Sequence, residues 1–205
     1  MTKYTTIILL CFAVVAVAGC TINMSMTKEE KAIIDSGDNN TPMRVLLIAN
    51  QEDSLFLRKT SEDVDTTDIK NDKDLQKLID RLTATLHKAN GVGIAAIQVG
   101  VARNLFLFLR LDEPGMPIQV AINPKITNHP DEHIVFEGDG CLSIPDKSGS
   151  SMRYAWIEVE YYDREGNLIK ETLSGHSRSD DFTGIVFQHE FDHLKGVLFT
   201  DKLAE

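Results

Sequence analysis

The sequence predicts an α+β fold in which antiparallel β-sheets pack around a carboxy-terminal helix that carries an HExxH pattern. Three observations point there: a helical apolar stripe over residues 72–88, a series of short extended segments ending in a hairpin over 156–173, and a last helical stretch over 180–195. Helix, strands, hairpin and helix in that order suit an α+β chain rather than repeated strand–helix units. With 205 residues and 42% apolar content, the chain is long enough for one domain with its own core and short for two.

The amino terminus stands apart. Lys3 is followed by an unbroken apolar run from Ile7 to Ala18, whereas crossing a bilayer as a helix takes about 20 apolar residues. The run matches the core of a signal peptide, here residues 1–19. Val17-Ala18-Gly19-Cys20 at its end resembles the lipobox of bacterial lipoproteins. That resemblance implies a lipid on Cys20, a membrane anchor, and a place in the cell envelope facing the periplasm or exterior. An ordinary signal peptide, or a cytoplasmic protein with an apolar start, are the alternatives. Residues 20–42 are polar and turn-rich, with a short possible helix around Glu29 to Ile34, and read as the lipidated Cys and a tether. Residues 43–205 read as the catalytic domain.

The elements of that domain follow in order. Asp72 to Lys88 is a helix because Leu75, Leu78, Ile79, Leu82 and Leu86 recur at helical spacing, and Asn90-Gly91 stops it. Asn104 to Leu111, Ile118 to Ile122 and His133 to Phe136 are extended by composition. In Trp156 to Tyr162, Ile157, Val159 and Tyr161 alternate with polar neighbours; Asp163 to Asn167 turns, and Leu168 to Leu173 returns as the second strand of a hairpin. The last helix, about Asp180 to Lys195, has Ser179 or Asp180 as candidate amino-terminal cap and Gly196 just past its end.

Composition narrows the partners. Thirty-one acidic against 21 basic side chains, with no basic run, exclude a nucleic acid partner. Cys11, Cys20 and Cys141 are the only cysteines. With Cys11 lost with the signal and Cys20 acylated, Cys141 would be the one free thiol and no intramolecular disulfide could form.

The chemistry lies in Gln188-His189-Glu190-Phe191-Asp192-His193. Two imidazoles four apart on a helix share one face and can grip one ion, while Glu190 can reach a water on that ion without being a ligand. The pattern alone divides evenly between a metal site and a helix bearing surface histidines. Phe187, Phe191, Leu194 and Leu198 imply a buried face, where unpaired polar groups are costly. A catalytic site of this kind takes three protein ligands and an open position. The candidates for the third are Cys141, His129, His133, His176 and several carboxylates; Cys141 is the strongest by type, although a lone Cys is as often a small buried apolar residue.

Three segments, in this order, resemble the motifs of peptide deformylases: Gly91-Val92-Gly93-Ile94-Ala95-Ala96-Ile97-Gln98 the GxGLAAxQ segment, Gly140-Cys141-Leu142-Ser143 the EGCLS segment, and Gln188 to His193 the QHExDH segment. The resemblance runs from about Met43 to Leu203. It implies a metal-dependent hydrolase that removes the N-formyl group from formyl-methionyl peptides, with one divalent ion, Fe2+ or Zn2+, on Cys141, His189 and His193. Glu190 would be base and then acid, Gln98 and the Leu142 N–H would face the oxyanion, and Gly93 would hydrogen-bond the substrate. Ile185 and Val186, one turn before His189, would help line a pocket for a methionine side chain, or else pack in the core. The sequence departs from the family at Asp139, where a Glu is usual, and at Ile94 and Ile97, which change shape more than chemistry. The alternatives are a catalytically weak formyl-peptide-binding or metal-binding lipoprotein of the same fold, a zinc endopeptidase, and a metal-free thiol hydrolase using Cys141.

Overall fold

The computed structural model describes residues 25–204, so the apolar run, Cys20 and its expected lipid lie outside the described residues. Among the described residues four α-helices and seven strands follow one another: α1 (Lys28–Ile34), α2 (Gln51–Leu57), α3 (Lys73–Ala89), β1 (Gly93–Ala95), β2 (Leu105–Leu109), β3 (Ile118–Asn128), β4 (Ile134–Cys141), β5 (Ile144–Arg153), β6 (Trp156–Tyr162), β7 (Leu168–Ser174) and α4 (Thr183–Leu194). All strand pairs are antiparallel, in a five-stranded sheet of order β1-β2-β3-β6-β7 and a separate β4-β5 hairpin. This is the α+β architecture the element order implies.

β2 explains how the layers are held. Its side chains alternate between faces, and both faces are buried: Leu105 and Leu107 pack with Leu75, Leu78, Leu82 and Leu86 of α3, while Phe106 and Phe108 pack with Val186, Phe187 and Leu194 of α4. The sheet is therefore sandwiched between the two long helices. Phe187 meets Phe106 and Phe108 edge to face, with ring centroids 4.9 and 5.4 Å apart, the geometry that ring quadrupoles favour. Gly184 lets α4 sit directly on β7, because a Cβ there would come within 2.9 Å of the Leu173 carbonyl.

α3 and the hairpin match the expectation almost to the residue. Asp72 caps α3 by accepting from the N–H groups of Asp74 and Leu75, and Asn90 ends it in the left-handed conformation at φ 51°. The β6–β7 pairing runs from Trp156↔Ser174 to Tyr162↔Leu168 across the expected turn.

Three expectations differ. The last helix begins at Thr183, not near Asp180, and neither Ser179 nor Asp180 caps it. Asp181 instead accepts from the Thr183 N–H and hydroxyl, and residues 176–181 form a loop beside the pocket described below. The segment from residue 25 to Pro42, read as part of a tether, is packed against the domain. There Thr27 and Glu30 form a capping box at the start of α1, Ile34 is fully buried, and Glu30 meets Arg103 in a buried ion pair at 2.7 Å. Arg81 donates to the carbonyls of Ile33, Ile34 and Thr41, which pins the end of α1 to α3. The polar composition hid this because its anchors are buried arginines far off in sequence. Finally, the extended segment expected to end at Phe136 runs on to Cys141 as β4, and β5 occupies a stretch for which no element was expected, because as half of a two-stranded hairpin it buries few of its side chains.

Candidate metal centre and active site

Three structural units converge on one point. α4 supplies His189, Glu190 and His193; the end of the β4–β5 hairpin supplies Cys141; β1 and the 3-10 turn after it supply Gly93 and Gln98. Cys141 pairs with Ile144 across the hairpin, so Leu142-Ser143 is the tight connection and the thiol sits at its mouth. The four-residue spacing places the two imidazoles on one face of α4, where they meet edge to face with ring centroids 5.0 Å apart. Cys141 Sγ lies 3.3 Å from His193 Nε2, and one ligand atom from each of Cys141, His189 and His193 falls within 4.8 Å of the others.

The surroundings orient this trio. His189 Nδ1 lies 2.8 Å from Asp139 Oδ1, which leaves its Nε2 for the cluster. Asp139 Oδ2 accepts from the Ser151 hydroxyl at 2.6 Å and from Arg153 at 2.8 Å, and Arg153 also donates to Asp192 at 2.5 Å. Asp139, where the family motif has Glu, thus reaches His189 with one oxygen while bridging to Ser151 and Arg153 with the other. Gln98 is equally fixed. Its Oε1 accepts from the Ala95 N–H at 2.8 Å, so Nε2 faces Ser143 Oγ at 3.2 Å and Cys141 Sγ at 3.5 Å.

The electrostatics suit a bound cation. Burial works to raise the Asp139 pKa, but the hydrogen bond and charge of His189 and the charge of Arg153 outweigh it and hold Asp139 well below the usual carboxylate range. Burial pulls His189 down, yet its hydrogen bonds to Asp139 and Cys141 and the charge of Glu190 carry it well above its ordinary value. His193 falls well below, through burial and the charge of His189. The cluster therefore favours positive charge but not on both rings. Burial pushes Glu190 up to about 7, with the Asp139 charge adding to the shift.

Glu190 Oε2 and His193 Nδ1 are buried and have no hydrogen-bond partner among the described residues. An unpaired buried carboxylate oxygen is costly in a resting fold, and here it stands beside one thiol and two imidazoles that converge. The donor set, its convergence and the orphaned carboxylate together fit a four-coordinate ion with three protein ligands and an open position. The other candidate ligands are not brought in: His129 and His133 stack on Tyr154, with centroids 3.9 and 4.3 Å away.

A pocket of about 480 Å³ opens over the cluster. Gly93, Gln98, Leu142, Ile185, Val186 and Glu190 all line it. Gly93 is required by proximity: a Cβ there would overlap the Glu190 carboxyl, 2.8 Å from Cδ and 2.9 Å from Cγ. Sequence reasoning missed Ser151 and Arg153, which brace Asp139, and Phe136, Phe182 and Arg178, which line the outer pocket. Nothing in the local sequence marks Arg153; only the β4–β5 pairing carries it to Asp139.

Residues 45–205 match the family model described as polypeptide deformylase. The chain is 48% identical over 139 residues to peptide deformylase 2 of Nostoc sp., covering 65% of this chain and 74% of that one. It is 41% identical over 151 residues to the peptide deformylase of Rhizobium meliloti, covering 73% and 80%. Among solved structures, the Met-Ala-Ser-bound class I type b peptide deformylase of Acinetobacter baumannii superposes with a TM-score of 0.69 at 29% identity, over 80% of this chain and 99% of that one. With its fold, its convergent Cys/His cluster and these similarities, the chain belongs to the polypeptide deformylase family: it is a deformylase hydrolase that works with one divalent ion, Fe2+ or Zn2+.

Proposed function

We propose that this enzyme hydrolyses the formamide of formyl-methionyl peptides, with Cys141, His189 and His193 holding the ion and Glu190 moving the proton. The observation that carries this reading is the buried, partnerless Oε2 of Glu190 beside the three converging ligands. When bound, the ion supplies Lewis acidity, which makes water nucleophilic near neutral pH.

Each residue then has a task. Glu190 takes the proton from the attacking water and returns it to the departing amine, so that formate and a free amino terminus leave. Its elevated pKa suits a group that must both accept and donate near neutrality. Gln98 Nε2, held in place through Ala95, and the Leu142 N–H donate to the oxygen on which negative charge develops, worth about 3 kcal/mol per donor in other hydrolases. Gly93 lets the substrate backbone approach Glu190, and Ile185 and Val186 offer apolar surface to the methionine side chain. Asp139 fixes the tautomer and orientation of His189.

The test is release of formate from formyl-Met-Ala-Ser by the full chain, with metal quantified in parallel. Wild-type turnover and a Glu190→Gln variant that keeps about one ion per chain but loses turnover are expected. Full activity in Glu190→Gln would remove it from the proton-transfer role.

We propose also that the enzyme acts in the cell envelope, anchored by a lipid on Cys20, on formylated peptides encountered there. The support is Val17-Ala18-Gly19-Cys20 at the end of a short apolar run. Membrane fractionation of wild type and Cys20→Ala checks it; identical fractionation and mass would sink the anchor.

A further inference from the structure

The inner pocket is accounted for by the chemistry above, but its outer lining is not. Exposure grades along the pocket: Gln98, Asp139, His189 and Glu190 are buried, whereas Lys147 and Arg178 are exposed residues of the same lining. The mouth is therefore cationic, on a chain whose formal net charge is −10.

Arg178 is held as a receptor side chain rather than left to roam. Its Nε donates to the Gly138 carbonyl at 2.8 Å, and its guanidinium lies over the rings of Phe136 and Phe182, 5.8 and 5.5 Å from their centroids. Gly138, at φ +74°, leaves the room it occupies, since a Cβ would stand 3.2 Å from Arg178 Nε. Among the described residues neither Arg178 nor Lys147 forms an ion pair, although Glu137, Asp146, Asp180 and Asp181 are close in sequence. A guanidinium fixed by its Nε and its flat faces still presents its terminal nitrogens, and these match a planar carboxylate. Because the side chain is already ordered, binding an anion there loses little further rotamer freedom.

The charge layout also has a direction. A formylated peptide has no charge at its amino end and a carboxylate at its carboxyl end. It suits a pocket whose inner end, at Glu190 and the three converging ligands, takes the uncharged formamide and whose exposed charged lining residues, Lys147 and Arg178, are basic. At about 3.3–3.6 Å per extended residue, only a short peptide brings both ends to the two poles at once.

We propose that Arg178, assisted by Lys147, binds the carboxy-terminal carboxylate of short formylated peptides, and so selects free oligopeptides of a few residues over longer chains. The proposal rests on the formyl-peptide reading above. It is tested on the full-length, metal-loaded protein with formyl-Met-Ala-Ser as the free acid and as its carboxy-terminal amide. The acid is expected to exceed the amide in kcat/KM by about five- to tenfold, the scale of one charge-assisted contact at a water-exposed site. The difference is expected to lie in KM, to shrink with added salt, and to fall toward unity in Arg178→Gln and partway in Lys147→Gln. Equal KM for acid and amide in the wild type overturns the subsite, as does a preference that survives in the Arg178→Gln/Lys147→Gln double variant. Hydrolysis of neither peptide would overturn the formyl-peptide reading itself, and the subsite with it.

Discussion

Gly93→Ala asks whether the placement of Glu190 matters separately from the stability of the fold. The added methyl would stand 2.8 Å from Glu190 Cδ and overlap the carboxyl oxygen. Reaching the 3.4 Å of an ordinary contact moves that carbon by about 0.6 Å. Gly93 does not have a positive φ, so its backbone is not strained by alanine. The atoms displaced are the far end of a side chain whose Oε2 has no hydrogen bond to lose. Stability should therefore change little, within about 1 kcal/mol.

Catalysis should not be spared. Misplacement by about 1 Å can reduce rate a hundredfold, so a shift of this size is expected to lower kcat about 10- to 100-fold, or about 1.4–2.7 kcal/mol in the barrier. Formate release measured beside a thermal melt and metal content separates the effects. Activity within about threefold of wild type would show that Glu190 need not be held against Gly93. Loss of activity with an equal loss of fold or metal would refute the claim that the methyl acts on Glu190 alone.

Further outcomes follow from the same geometry. Asp139→Ala removes the acceptor shared by His189, Ser151 and the buried Arg153. It is expected to destabilise by about 3 kcal/mol and weaken metal retention tenfold or more, measured by urea titration and chelator competition; unchanged metal retention would refute the bracing role. Stripping the ion should abolish turnover, restored by Fe2+ or Zn2+, and lower Tm by about 5–10 °C if the ion was bound at about a hundred times its Kd. A stripped protein with an unchanged Tm would show that the ion does not stabilise this cluster. For Glu30, burial acts to raise the pKa, but the Arg103 hydrogen bond and the Thr27 contacts carry it below the ordinary 4.5. The stability this confers is present above 4.5 and lost as pH falls through the lower folded value. Glu30→Gln should accordingly be less stable than wild type at neutral pH, and the gap should close in acid; a gap independent of pH would show that ionisation of Glu30 is not what holds α1.

Some of this molecule was legible in its sequence because the signals are local. The α3 stripe, the β6–β7 alternation and the α4 spacing are periodicities that neighbouring residues carry between them, and the structure has them where the periods fall. His189, Glu190 and His193 lie within one turn and a half of helix, so their shared face follows from helical geometry alone. Cys141 was different: type and spacing left it one ligand candidate among several, and the motif resemblance singled it out.

The rest depends on contacts between residues far apart in the chain, which no local pattern encodes. Arg103 reaches back 73 residues to Glu30 and so turns an apparent tether into part of the domain. Arg153 meets Asp139 only because β4 and β5 pair, and Asp139 in turn aims His189. Gly138 and Phe182, on separate segments, together hold Arg178 at the pocket mouth. Local pattern thus carries the fold class, the helix that bears the chemistry and the kinds of groups that perform it. Which of those groups face one another, which are buried without a partner and which charge stands at the entrance emerge on folding, because burial and long-range pairing are properties of the folded chain and not of any stretch of it.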